Sequence, residues 1–150
     1  GETARRERAR FMSSHVASKS LGYMTAQYEQ MMGLRGKSVN RPDLVARHGY
    51  DTKFAAHMIR LGVQTLSVLN DGVIVTPLPT AEAEYVTSIR NGEVPQSDVI
   101  GRYGDIHAEV ERRLDNHQHD LPELPDVEWI EDWVYEVIKG ASAVSRLLAR

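Results

Sequence analysis

Cysteine is absent from all 150 residues. That excludes a disulfide framework, a thiolate metal site and a cysteine nucleophile, and it fits a reducing compartment such as the cytoplasm. Long apolar runs are missing as well. No stretch approaches the roughly 18 residues that a membrane-spanning helix needs, so no membrane partner is expected. The opening residues, Gly1 to Arg8, hold no apolar segment of the kind that marks a secretory signal. Internal repeats and low-complexity tracts are also lacking.

What remains is ordinary globular composition, with 41% hydrophobic and 26% charged residues. The length suits one domain spanning 1–150. The net charge of -3 conceals an asymmetry: residues 1–60 carry 11 Lys/Arg against 5 Asp/Glu, and residues 61–150 carry 7 against 16. A basic front half can meet phosphates and an acidic back half repels them. Two solvated faces of a single domain account for the same numbers.

The apolar periodicity predicts a run of helices. The first spans about Thr3 to Met32, with Phe11, Val16, Leu21, Met24, Tyr28, Met31 and Met32 along one side. Gly33 and Gly36 break it. A short helix over 41–48 follows, with Asn40 as its cap, Pro42 in its first turn and Gly49 at its end. Asp51 caps a central helix from Thr52 to about Val68, with Phe54, Met58, Leu61 and Thr65 or Leu66 as its apolar stripe. Asp71-Gly72 followed by Val73-Ile74-Val75-Thr76 predicts a small β-hairpin, paired on its other side with Leu66-Ser67-Val68-Leu69 if the central helix stops early. Thr80 caps a helix over about 81–91 closed by Gly92, and Pro95 opens another over about 96–116. A polar connector from His117 to Pro125 leads to a last helix, Val127 to about Leu148. The expected fold class is therefore an all-α, mainly helical bundle with one small β-hairpin.

The stretch richest in chemistry is Gly49 to Leu61. On a helix, Lys53, His57, Arg60 and Gln64 sit at i, i+4, i+7 and i+11 and share one face. Such a line suits a polyphosphate: Arg grips it bidentately, Lys supplies a point charge and His donates a hydrogen bond. Lys53 lies in the first turn, where helix N–H groups add to the attraction. An ordinary solvated helix face has the same look. Against that, cations near a helix start oppose the dipole, and no Asp or Glu follows at i+3 or i+4.

Asn40-Arg41-Pro42-Asp43-Leu44 through Gly49-Tyr50-Asp51-Thr52-Lys53, then Ala56-His57-Met58-Ile59-Arg60-Leu61, resembles the block RPxLxxxxGYDTKxAxHxxRL of predicted nucleotidyltransferases of the DNA polymerase β superfamily. That group includes a branch tied to RNA repair and many phage-encoded members. Further similarities follow in order. Leu69 to Pro79 resembles the family's hairpin LxTGxLxxPxP, and Ile89-Arg90-Asn91-Gly92-Glu93 its IRxGExxL junction. Upstream, Phe11, Ser20-Leu21-Gly22-Tyr23 and Gln27 resemble its RFxxSYLGYxxxQ helix. The likeness covers about residues 10 to 138.

The resemblance implies the C-terminal helical region of such an enzyme, walling the nucleotide cleft opposite a catalytic domain that this sequence lacks. Enzymes of this superfamily use a Gly-Ser turn and an Asp-x-Asp pair that holds Mg²⁺ beneath the triphosphate. Neither motif occurs here. Glu82-x-Glu84, Glu109-x-Glu111 and Asp126-x-Glu128 fall in helices or at a helix start, as surface acids do. No catalytic residue is assigned, and Mg²⁺ and an NTP are expected only for the intact enzyme. By resemblance, Lys53, His57 and Arg60 hold the triphosphate or the acceptor strand, with Tyr50 and Asp51 shaping the start of their helix. Lys37 and Arg41 widen the basic patch toward a nucleic-acid backbone. The expected partners are a nucleoside triphosphate, an RNA or protein acceptor, and the catalytic domain. The competing reading is a non-enzymatic helical module that binds a protein or nucleic acid.

Other features rank lower. His107, His117 and His119 show no metal-ligand spacing and read as surface histidines, so no metal site is assigned. Trp129 and Trp133, at i and i+4, read as packing.

Overall fold

The computed structural model describes residues 10–35 and 41–148, with side chains placed through residue 140. Its helices are α1 (Ser14–Met31), α2 (Pro42–His48), α3 (Thr52–Asp71), α4 (Thr80–Arg90), α5 (Gln96–Asp115) and α6 (Val127–Leu148). The bundle is organised around α3, against which α1, α4, α5 and the short α2 all pack. No described helix is long and apolar enough to cross a membrane.

Local chemistry sets most of the helix ends. Ser13 is extended (φ -155, ψ 166) and its hydroxyl accepts the Val16 N–H at 3.2 Å, so α1 starts at Ser14. The expected start at Thr3 lies outside the described residues, but residues 10–13 are not helical. The later connector fixes that segment: the Ser14 N–H donates to the Pro122 carbonyl at 2.9 Å, and the Asp126 N–H to the Arg10 carbonyl at 3.0 Å. Phe11 therefore leaves the α1 stripe and sits edge-on to Trp129 and Trp133, 5.5 Å from each ring. The cap expected at Asn40 also lies outside the described residues. Arg41 occupies the N-cap position of α2 without a side-chain bond, and Pro42 follows it. Gly49 closes α2 with φ 84, a left-handed conformation that costs glycine little. Pro79 and Pro95 precede α4 and α5, so Thr80 is the first helical residue of α4 rather than its cap.

α3 buries more than one stripe because it has neighbours on several sides. Beside Met58 and Thr65, it buries Ala55, Ala56, Ile59, Gly62, Val68 and Leu69, while Phe54 and Leu61 are only partly covered. Complete burial of a side chain such as Ile59 contributes about 1.5 to 3 kcal/mol. Met24 of α1, Ile89 of α4, and Val99, Ile106 and Val110 of α5 close the same core. Where α1 crosses α3, the Ser20 and Thr65 hydroxyls share a hydrogen bond of 2.6 Å, and Thr65 also donates to the Leu61 carbonyl. Both polar groups are thus satisfied inside an apolar crossing.

The expected β-hairpin does not form, and no strand occurs among the described residues. α3 runs on to Asp71, which keeps residues 66–69 helical and removes the partner strand. Gly72, read as the tip of a hairpin turn, instead caps α3 with φ 67 and returns its N–H to the Val68 carbonyl at 2.9 Å. The β-favouring run after it is held by a side chain in place of a ladder. The Ser67 hydroxyl accepts the Val75 N–H at 3.1 Å and shares its one proton between the Gln64 carbonyl of its own helix at 2.7 Å and the Val73 carbonyl at 3.1 Å.

Candidate functional site

The outer face of α3 carries Lys53, His57 and Arg60, all exposed, with Gln64 half-buried one turn further on. The opposite faces of this helix carry the core, so burial of Met58 and Ile59 turns these three outward together. Neither Lys53 nor Arg60 has a carboxylate partner among the described residues. Burial, followed by the neighbouring positive charge of Arg60, lowers the pKa of His57 from its ordinary 6.5. At neutral pH His57 is therefore mainly a neutral imidazole between two cations, able to donate from one ring nitrogen.

Asp51 and Tyr50 build the start of this helix from inside. Asp51 is fully buried, and its Oδ1 accepts the Lys53 and Phe54 N–H groups at 3.0 and 3.2 Å. Its Oδ2 accepts the Arg41 N–H at 2.9 Å, so one carboxylate caps α3 and anchors the start of α2. Tyr50 is buried and donates its hydroxyl to the Val94 carbonyl at 2.7 Å. Burial raises its pKa above 10.0, with Tyr85 adding to the effect, so the hydroxyl stays protonated. Both residues act on the site through the backbone they hold and present no surface to a ligand.

Arg41 is partly committed. Its guanidinium lies 3.5 Å from Asp51 Oδ1 and 5.2 Å from the centre of the Phe54 ring, which leaves it beside the first turn of α3. Lys37 lies outside the described residues. The structure also brings the end of α4 to this helix start, which spacing along the chain does not show. The Thr52 hydroxyl donates to the Arg90 carbonyl at 3.2 Å, so the exposed C-terminal end of α4 comes to the start of α3. Residues 38 positions apart are brought together only by the antiparallel packing of α3 and α4. At the other end of the basic line, Arg60 and Gln64 form one wall of a cleft of about 300 Å³. Pro77, Leu78 and the α4 residues Ala83 and Thr87 form the other wall.

The acidic pairs behave as surface and capping groups. Glu82 pairs with Arg102 at 3.1 Å, Glu109 with Arg112 at 2.9 Å, and Asp126 accepts the Trp129 N–H at 3.2 Å. His107 pairs with Glu111 at 3.2 Å. His15, His117 and His119 line a shallow cleft with Glu111, Asp115 and Glu123, yet among the described residues no three His, Asp or Glu side chains are placed to hold a metal ion. Comparison with protein-family models, with curated proteins and with solved structures gave no match.

Proposed function

We propose that this chain is the nucleotide- or acceptor-binding helical region of a nucleotidyltransferase, with the reacting carboxylates and Mg²⁺ supplied by a separate catalytic domain. The observation that carries the reading is the exposed line Lys53, His57 and Arg60, whose two permanent cations have no acidic partner among the described residues. Unpaired cations on one face repel one another, and an anion bound between them removes that repulsion while gaining charge-assisted hydrogen bonds. The Asp51 cap holds the first turn of α3 in register, so Lys53 presents its side chain from a fixed backbone. The Arg41 guanidinium lies beside the same end. A triphosphate lying along α3 meets Lys53 first and Arg60 last, and the cleft beyond Arg60 accepts the less charged end of the ligand. In such a complex the chain orients the phosphates and leaves bond-making to the partner domain.

The test is a titration of ATP followed by ¹H–¹⁵N amide shifts, with and without Mg²⁺. Shifts should concentrate at residues 51–64, with weak affinity that Mg²⁺ scarcely changes. Lys53→Ala and Arg60→Ala should each weaken binding about tenfold, the loss of about 1.4 kcal/mol per charge-assisted contact. Melting should stay nearly unchanged, because both side chains are exposed. Shifts elsewhere in the bundle, or unaltered affinity in both variants, would overturn the assignment. Binding of single-stranded RNA at this face with no ATP binding would favour a binding module instead.

A further inference from the structure

The cleft beside Arg60 suits an uncharged ring. Among the described residues Arg60 is the one charged side chain that lines it. Pro77, Leu78 and Ala83 offer apolar surface for the faces of a heteroaromatic group. At about 300 Å³ the space lies at the small end of the range for ligand sites. Arg60 belongs both to the basic line of α3 and to the cleft wall, so a ligand whose phosphates follow that line brings its base here.

Two polar side chains on opposite walls decide which base fits. The Gln64 carboxamide, unpartnered among the described residues, presents a donor and an acceptor side by side. Alone it discriminates nothing. One orientation pairs with an amino group beside a bare ring nitrogen, the edge shared by adenine and cytosine. Turned over, the same amide pairs with a carbonyl beside a ring N–H, the edge shared by guanine and uracil. Thr87 breaks that symmetry. Its hydroxyl donates its single proton to the Ala83 carbonyl one turn back in α4, at 2.8 Å. Only lone pairs remain for a ligand. An amino group gives one N–H to Gln64 and the other to Thr87, whereas a carbonyl in that place sets oxygen against oxygen with no proton between them. Thr76 also lines the cleft, but its exposed hydroxyl turns to donate or accept alike.

We propose that this cleft selects the base of the bound nucleotide by its edge, taking adenine and cytosine in preference to guanine and uracil, with Gln64 reading the edge and Thr87 fixing its orientation. The inference rests on the nucleotide reading of Lys53, His57 and Arg60. It adds the specificity those three cannot supply, because they meet phosphates common to every nucleotide.

The experiment titrates ATP, CTP, GTP and UTP against the 150-residue chain, with inorganic tripolyphosphate as a base-free probe, and follows amide shifts. ATP and CTP should bind about tenfold tighter than GTP and UTP, the effect of one hydrogen bond gained against one acceptor left facing another. Thr87→Val keeps the shape of an exposed side chain and removes the hydroxyl. It should make the four nucleotide affinities equal and leave that of tripolyphosphate unchanged, and Thr87→Ser should restore the spread. Equal affinities in the unaltered chain, a preference for GTP and UTP, or a spread that survives Thr87→Val would overturn the base assignment; binding of tripolyphosphate then shows that the phosphate line still stands. If neither tripolyphosphate nor any nucleotide binds, the nucleotide reading fails and the base assignment falls with it.

Discussion

Replacing Asp51 with alanine tests the link between the core and the proposed site. The carboxylate has no exposure and accepts the backbone N–H groups of Lys53, Phe54 and Arg41. Losing the α3 cap costs about 1 to 2 kcal/mol. The Arg41 N–H, left without its acceptor in a part-buried setting, adds about 1 to 3 kcal/mol. The two losses share one small region and are not fully additive, so the expected destabilisation is about 3 kcal/mol. For a chain of this length that lowers the melting temperature by about 6 to 12 °C. Asparagine keeps one acceptor oxygen and presents an amide donor where the other was. It can retain the α3 cap or the Arg41 bond but not both, and should lose about half as much. Thermal melts and urea titrations by circular dichroism give both numbers. If Asp51→Ala costs less than about 1 kcal/mol, or Asn and Ala cost the same, the carboxylate does not join the two helix starts.

Three further outcomes follow from particular contacts. A methyl group on Gly62 would come within 2.7 Å of Ile106 Cγ2 and 3.0 Å of the Met24 thioether end. The helix-propensity gain of Gly62→Ala, about 1 kcal/mol, is therefore outweighed by overpacking of about 1 to 3 kcal/mol, since Met24 can swing aside but β-branched Ile106 cannot. A rise in denaturant midpoint would refute that balance. The lowered pKa of His57 means that the unfolded chain takes up a proton before the folded one as pH falls below 6.5. This contribution to stability is complete above 6.5 and is lost as pH falls from there toward the folded value; His57→Gln should remove that part of the pH dependence in urea titrations. On the proposed function, a bound polyphosphate would reverse the preference and favour the imidazolium, so ATP binding should take up protons as pH falls below 6.5, measurable by calorimetry in buffers of different ionisation enthalpy.

Much of the bundle was readable because its punctuation is local. Asp51, Gly49, Gly92 and Pro95 mark helix ends by their own conformational or hydrogen-bonding preferences, and each stands at or beside the boundary it marks. The hairpin was misread because Asp71-Gly72 serves a helix end as well as a tight turn. The choice was made by Ser67, whose hydroxyl occupies the loop's backbone groups. Ala55, Ala56 and Gly62 escaped the predicted core because small residues give a weak hydrophobic signal, although they permit the closest approach of neighbouring helices. The alignment of Lys53, His57 and Arg60 on one exposed face follows from helical spacing alone. Arg90 was hidden because its nearness to Thr52 comes from the fold.

The Ser67 latch has a mechanical consequence. The segment at Pro77 and Leu78 and the helix carrying Arg60 face each other across the cleft, and the hydroxyl of Ser67 ties the intervening stretch back to that same helix. One wall is therefore tied by a side chain to the helix that forms the other. Spreading the jaws for a bulkier guest means either breaking those bonds or lifting α4 away from α3.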